Sequence, residues 1–118
     1  MKKQKPDDYA RLLHIKDAIE GIQRFIEGYN LDTFIADEKT FLATVKEIEI
    51  IGEAAYHLSD TLKKQYSDIP WQQIESMRHK LVHDYYDIDK KVAWLVATNF
   101  TPQLKIEVGR IIEDLDNN

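Results

Sequence analysis

Apolar residues recur at intervals of three and four from the first residues onward: Tyr9, Leu12, Ile15, Ile19, Ile22 and Ile26. That spacing is one buried stripe of an amphipathic helix. Asp7 or Asp8 is placed to cap its start, and Gly28 sits where it should end. The stretch Tyr29 to Ala36 reads as a connection. Asp37 is then the N-cap of a second helix, on which Phe41, Val45, Ile48, Gly52 and Ala55 share a face, with Ile51 and Leu58 beside it. A glycine inside a helix costs about 1 kcal/mol relative to alanine. Close approach of a neighbouring helix would account for Gly52. Ser59 or Asp60 starts a short helix through Tyr66. Pro70 suits the first turn of a third long helix, with Asp68 as its cap and Trp71, Ile74, Met77, Leu81 and Val82 along it. Asp87 or Asp89 opens a fourth, carrying Val92, Leu95 and Val96. Pro102 should kink or interrupt it, and the pattern resumes with Leu104, Val108, Ile111, Ile112 and Leu115. The pattern predicts an all-α fold, an antiparallel four-helix bundle with an additional short helix.

Composition narrows this further. The chain has 118 residues, which predicts a single domain over 1–118. With 4 glycines and 3 prolines there is little room for the many tight turns of an all-β protein. Cysteine is absent, which removes disulfide scaffolds, thiolate metal sites and cysteine nucleophiles together. The net charge of −5 excludes coating of nucleic acid through bulk positive charge, so any such contact is local. No apolar run approaches the roughly 20 residues of a membrane span, and the basic start is followed by no apolar core of the signal-peptide kind. The expectation is a cytoplasmic protein with no membrane contact.

Most polar positions read as solvated helix faces. The exception is Arg78-His79-Lys80-Leu81-Val82-His83-Asp84-Tyr85-Tyr86. At about 100° per residue, Trp71, Ile74, Met77, Leu81, Val82 and Tyr85 fall within one arc of roughly 140°, and Arg78 falls inside it. An arginine on an apolar face is costly unless it is paired or lines a cleft. Glu53 or Glu49 on the preceding helix would serve as the partner. His79 and His83, four apart, share a helix face. Three readings stay open on spacing alone: a metal site, a surface pair, or acid–base catalysis. The zinc-protease pattern H-E-x-x-H needs a glutamate where this chain has Lys80. Arg78 and His83 diverge by roughly 140° on an ideal helix. A shared phosphate then requires the helix to end or distort near His83, or a second subunit to complete the site. Gly-rich phosphate loops, a G-x-S-x-G elbow and a carboxylate cluster for two metals are all missing from the sequence.

Arg78 to Tyr85 reads R-x4-H-x-Y, which resembles the HEPN domains, specifically the HepT-like ribonuclease toxins. The likeness extends to His14 and Ile15, to Ile50-Ile51-Gly52-Glu53-Ala54-Ala55, to Ile69-Pro70-Trp71, Met77-Arg78 and Leu81-Val82-His83, and to Val92-Ala93-Trp94 and Pro102-x-Leu104, in order along nearly the whole chain. The resemblance implies a HEPN-like helical bundle that dimerises, with the motif lining a cleft near the two-fold axis. It implies a metal-independent endoribonuclease with no cofactor, acting on RNA. It implies Arg78 and His83 as the catalytic pair. It further implies Tyr85 as a phosphate-positioning residue and as the target of AMP transfer from a cognate MntA-like nucleotidyltransferase antitoxin, in a type VII-like toxin–antitoxin pair. The family often has a small polar residue after the arginine. Here it is His79, which with Glu53 is a candidate auxiliary group. A non-catalytic binding or regulatory subunit of a nucleotidyltransferase complex is the alternative function.

Overall fold

The computed structural model describes residues 4–83 and 89–118, and side chains over 7–78 and 89–118. Helices α1 (Gln4–Ile26), α2 (Leu31–Ala36), α3 (Glu38–Tyr56), α4 (Asp60–Gln65), α5 (Trp71–His83) and α6 (Lys90–Leu95) lead through a π-helical turn (Val96–Phe100) into α7 (Thr101–Asp116). No strand occurs among the described residues. The fold is an all-α bundle, as the helical periodicity predicts.

The predicted stripe of α1 is the centre of the core. Leu12, Ile15, Ile19 and Ile22 are fully buried, together with Ile48 and Ile51 of α3, Ile74 of α5 and Val108 and Ile111 of α7. Each such side chain contributes roughly 1.5–3 kcal/mol on leaving water. Helix α3 packs between α1 and α5, and α7 packs on α1. Polar ties between helix ends fix the antiparallel order. Asp8, near the start of α1, accepts from the Ser59 N–H at 2.8 Å and the Ser59 hydroxyl at 2.6 Å, just past the end of α3. At the far end of α1, Lys105 of α7 donates to Gln23 at 3.2 Å.

Several local expectations change. Asp8 does not cap α1. It lies inside that helix, buried, and anchors the N-cap of α4, where the Ser59 hydroxyl accepts from the Leu62 N–H. The segment expected as a connection contains α2, set by a capping box in which Asn30 and Thr33 exchange side-chain and backbone hydrogen bonds. Phe34 from this helix is fully buried and meets Phe41 edge to face at 5.9 Å. Among the described residues the bundle therefore carries the short helices α2 and α4 between its long ones, and a third, α6, that leads into α7. Asp37 caps α3 as expected. Pro70 precedes α5, with its carbonyl accepting from the Ile74 N–H. Asp68 does not cap that helix and pairs with Arg110 instead. Asp89 is the cap that opens α6. The buried face of α6 is Ala93, continued by Ala97, while Val92 and Leu95 are exposed. Pro102 coincides with an interruption of the α-helix, as expected, but the chain stays helical through it. In a regular helix its ring would meet the carbonyl four residues back. The π-helical turn just before it widens the spiral, with the Thr101 N–H reaching the Val96 carbonyl, and α7 continues.

Candidate functional site

The site begins with a missing side chain. A Cβ on Gly52 would stand 2.5 Å from the Arg78 backbone nitrogen and 3.1 Å from the Ile74 carbonyl oxygen. Helices α3 and α5 are thus in backbone contact, the close approach that the interior glycine predicts. The residues that follow Gly52 on the same side of α3 are then brought to Arg78. Glu53, Tyr56 and His57 stand at i, i+3 and i+4 and project together.

Around Arg78 these form a connected polar group. The guanidinium carbon lies 3.6 Å from the centre of the Tyr56 ring, in stacking contact. Arg78 Nη1 is 3.7 Å from Glu53 Oε1, and the other carboxylate oxygen of Glu53 meets His57 Nε2 at 2.9 Å. The Tyr56 and His57 rings are edge to face at 5.1 Å. The Arg78 side chain is 22% exposed, against 54% for Glu53 and 42% for His57. Its Nε is buried without a hydrogen-bond partner among the described residues. On the flank, Lys63 of α4 pairs with Glu75 of α5 at 2.6 Å and donates to the Tyr56 carbonyl at 3.3 Å. The whole group sits at the C-terminal end of α3, where free carbonyls favour a cation.

Chemically this is a cation held in a fixed orientation. Stacking and the ion pair fix the plane of the guanidinium; among the described residues Nη2 has no protein acceptor, while Nε is buried and closed to a ligand. A planar fork of that kind matches the oxygens of a phosphate. Of the two partners proposed for Arg78 from the sequence, Glu53 takes the role. His79 follows Arg78 on α5 and His83 is the last residue of that helix as described; both side chains lie outside the described residues, and Tyr85 lies outside them altogether. Tyr56 and His57 were not legible as site residues from the motif. The available signal was their helical spacing from Glu53.

A second polar cluster sits at the opposite end of α3, in a hollow lined by Gly28, Tyr29, Thr33, Ala36 and Asp37. There Asp37 accepts from the Tyr29 hydroxyl at 2.6 Å and from the Thr40 hydroxyl at 2.8 Å, bonds that hold its carboxyl below the ordinary range. Its acceptors serve the helix cap, and the hollow offers no free charge. No group of three or more His, Asp or Glu is placed to hold a metal among the described residues, and no described helix is long and apolar enough to cross a membrane.

Residues 15–111 match the family model described as "Ribonuclease HepT-like". A protein of Thermococcus cleftensis named "Probable ribonuclease HepT" is 36% identical over 103 residues, covering 87% of this chain and 92% of that protein. A Methanocaldococcus jannaschii protein named "Putative RNase" is 31% identical over 112 residues, 95% of this chain and 93% of its own. Another from the same organism, a "Gamma-glutamylcyclotransferase and putative RNase", is 35% identical over 107 residues; the match takes in 91% of this chain but 48% of that larger protein. No solved structure matches the chain.

Proposed function

The chain belongs to the HepT-like ribonuclease family, and from that premise we propose that it is a metal-independent endoribonuclease toxin of a type VII-like toxin–antitoxin pair. The observation that carries this reading is Arg78: a largely buried guanidinium, stacked on Tyr56 and steadied by Glu53, on the helix that carries His83.

The reaction is transesterification within RNA. His83 takes the proton from the ribose 2′-OH or gives one to the leaving 5′-oxygen, and the 2′-oxygen attacks the adjacent phosphorus. Arg78 holds the non-bridging oxygens as negative charge builds on them. Tyr85 helps place the phosphate. The substrate supplies its own nucleophile, so DNA is inert. From Trp71 to Lys91, Arg78, Lys80, Lys90 and Lys91 balance Glu75, Asp84, Asp87 and Asp89. Such a surface binds RNA locally and with a shallow salt dependence. Two copies of the chain, each a single domain over 1–118, form a homodimer with Arg78 and His83 near the two-fold axis, which reconciles the divergence of these residues on one helix. A cognate MntA-like nucleotidyltransferase transfers AMP to Tyr85. The added phosphodiester pairs with Arg78 and fills the place of the substrate phosphate.

The test is incubation of the purified protein with RNA. Cleavage should survive EDTA and leave 2′,3′-cyclic phosphate ends. A strict need for Mg²⁺ with 5′-phosphate products would sink the mechanism, and binding of RNA without cleavage would favour the non-catalytic regulatory subunit. An active monomer by light scattering at micromolar concentration would remove the dimer. Mass spectrometry after co-expression with the nucleotidyltransferase should find AMP on Tyr85; AMP on Tyr86 alone would show the wrong tyrosine was chosen.

A further inference from the structure

Transesterification needs two proton transfers. One group removes the 2′-OH proton and another gives a proton to the departing 5′-oxygen. A single imidazole cannot do both in one step. We propose that His57 is the general acid of this site, an inference that rests on the ribonuclease reading above.

The geometry ties His57 to the phosphate-binding guanidinium through one carboxylate. Glu53 accepts from His57 Nε2 at 2.9 Å with one oxygen and faces Arg78 Nη1 at 3.7 Å with the other. That bond fixes the proton on Nε2 and leaves Nδ1 as the atom that exchanges with substrate. Nδ1 has no hydrogen-bond partner among the described residues, and the ring is 42% exposed, so a bound RNA strand has access to it. His57 is also the residue that closes α3, its own N–H directed to the Ala54 and Ala55 carbonyls. The charged groups around it are Glu53 on its own helix, Lys63 and Glu75 paired across α4 and α5, and Arg78. The Glu53 carboxylate thus lies between His57 and Arg78.

The step balances. The 2′-oxygen, freed of its proton by the base, forms a bond to phosphorus as the bond from phosphorus to the 5′-oxygen breaks. The Nδ1 proton of the His57 imidazolium passes to that 5′-oxygen. The products are a 2′,3′-cyclic phosphate, a 5′-hydroxyl and a neutral His57 that still donates from Nε2 to Glu53.

The test separates an acid from a merely structural histidine. An RNA oligonucleotide that the wild-type protein cuts is prepared with sulfur in place of the bridging 5′-oxygen at the scissile bond. A thiolate leaves without protonation, so loss of the acid should cease to matter. His57→Gln, with its fold checked by circular dichroism, should cut the oxygen substrate at least about 100-fold more slowly than wild type, the low end of what general acids contribute. On the sulfur substrate it should fall within about threefold of wild type. Equal losses on both substrates, a rescue under tenfold, or no loss at all would overturn the assignment while leaving the ribonuclease reading intact. Rescue of His79→Gln or His83→Gln in place of His57→Gln would move the acid to that residue. Failure of the wild-type protein to cut any RNA would instead remove the ribonuclease reading on which the inference stands.

Discussion

Two arginines in this molecule lie over tyrosine rings with a carboxylate at hand, and they are not equivalent. Arg110 stands 5.5 Å from the centre of the Tyr66 ring and pairs with Asp68 at 3.5 Å, with both partners well exposed, at 48% and 68%. Tyr66 beneath it is buried, and its hydroxyl donates to Asp114 at 2.7 Å. Its carbonyl also accepts from the Trp71 indole at 3.0 Å. Every strong polar group there is used within the fold, and the arginine rides on top in water. Arg78 is the reverse. It lies 3.6 Å from Tyr56, is 22% exposed, and keeps a buried Nε without a described partner, while Tyr56 below is 47% exposed. An exposed pair of the first kind contributes little, at about 0–1 kcal/mol. The second kind of arrangement carries the cost of an unpartnered buried donor. Arginine, tyrosine and a carboxylate make a surface brace at one place and the proposed anion receptor at the other, and burial distinguishes them.

The largest effect should come from removing the receptor. Arg78→Ala and His83→Ala should each lower RNA cleavage by at least about 100-fold, the order seen when a transition-state donor is lost. Both should abolish the growth arrest expected when the chain is expressed alone. Arg110→Ala should leave cleavage within about twofold. Equal damage at Arg110 and Arg78 would show that the arginine stations differ in appearance only. Equal toxicity of a folded His83→Ala variant would take His83 out of the mechanism.

A smaller effect separates the helix contacts beneath the two arginines. Gly52→Ala drives a methyl to 2.5 Å from the Arg78 backbone nitrogen, where nothing flexible can yield. Overpacking of this kind costs about 1–3 kcal/mol, and Arg78 should shift with the helix, so cleavage should fall as well. Gly109, one residue before Arg110, has nothing within 4 Å of an added Cβ. Gly109→Ala should therefore be neutral or raise stability by up to about 1 kcal/mol, since alanine is the better helix former. Urea denaturation of both variants reads the contrast. Similar losses would mean that α5 does not need its close approach to α3.

The contrast between the glycines also shows what the sequence discloses and what it withholds. Periodicity located α1, α3, α5 and α7, because each buries a stripe and the stripe leaves a period. Gly52 was legible because a glycine on an apolar helical face needs a steric reason. Helix α2 was not, since six residues with one buried anchor, Phe34, are too short to show a period. Asp8 was misplaced because its partner, Ser59, is 51 residues away and capping rules look only to local neighbours. Val92 and Leu95 were misassigned because helix α6 turns its small residues Ala93 and Ala97 inward, and a rule that ranks size above rotation selects the wrong face. At the site, Arg78 and its need for a carboxylate could be read from the wheel. Tyr56 and His57 could not, because exposed aromatic and imidazole side chains at the end of a helix look like any solvated face until the neighbouring helix is placed.

The smallest effect concerns the tyrosines themselves. Tyr66 loses a buried hydrogen bond on conversion to Phe, which costs about 1 kcal/mol at neutral pH. Tyr56→Phe keeps the ring beneath Arg78, and stability should stay within about 0.5 kcal/mol. Burial, then the hydrogen bond to Asp114, push the Tyr66 phenol above its ordinary value of 10.0. The neutral phenol is thus favoured in the folded state. Its contribution is fully present below pH 10.0, the value for the unfolded chain, and is lost as pH rises through the higher folded value. The unfolded chain releases this proton first, so alkali favours unfolding. Tyr66→Phe has no such proton and should begin less stable at pH 7, yet lose stability less steeply above pH 10.0. Tyr9, raised chiefly by its interaction with Asp116, titrates in the same window, so the slope should flatten without vanishing. Urea midpoints measured from pH 7 upward decide the matter. An unchanged alkaline slope in Tyr66→Phe would mean that the Tyr66 hydroxyl is not held by Asp114, and the station under Arg110 would lose the feature that distinguishes it from the one under Arg78.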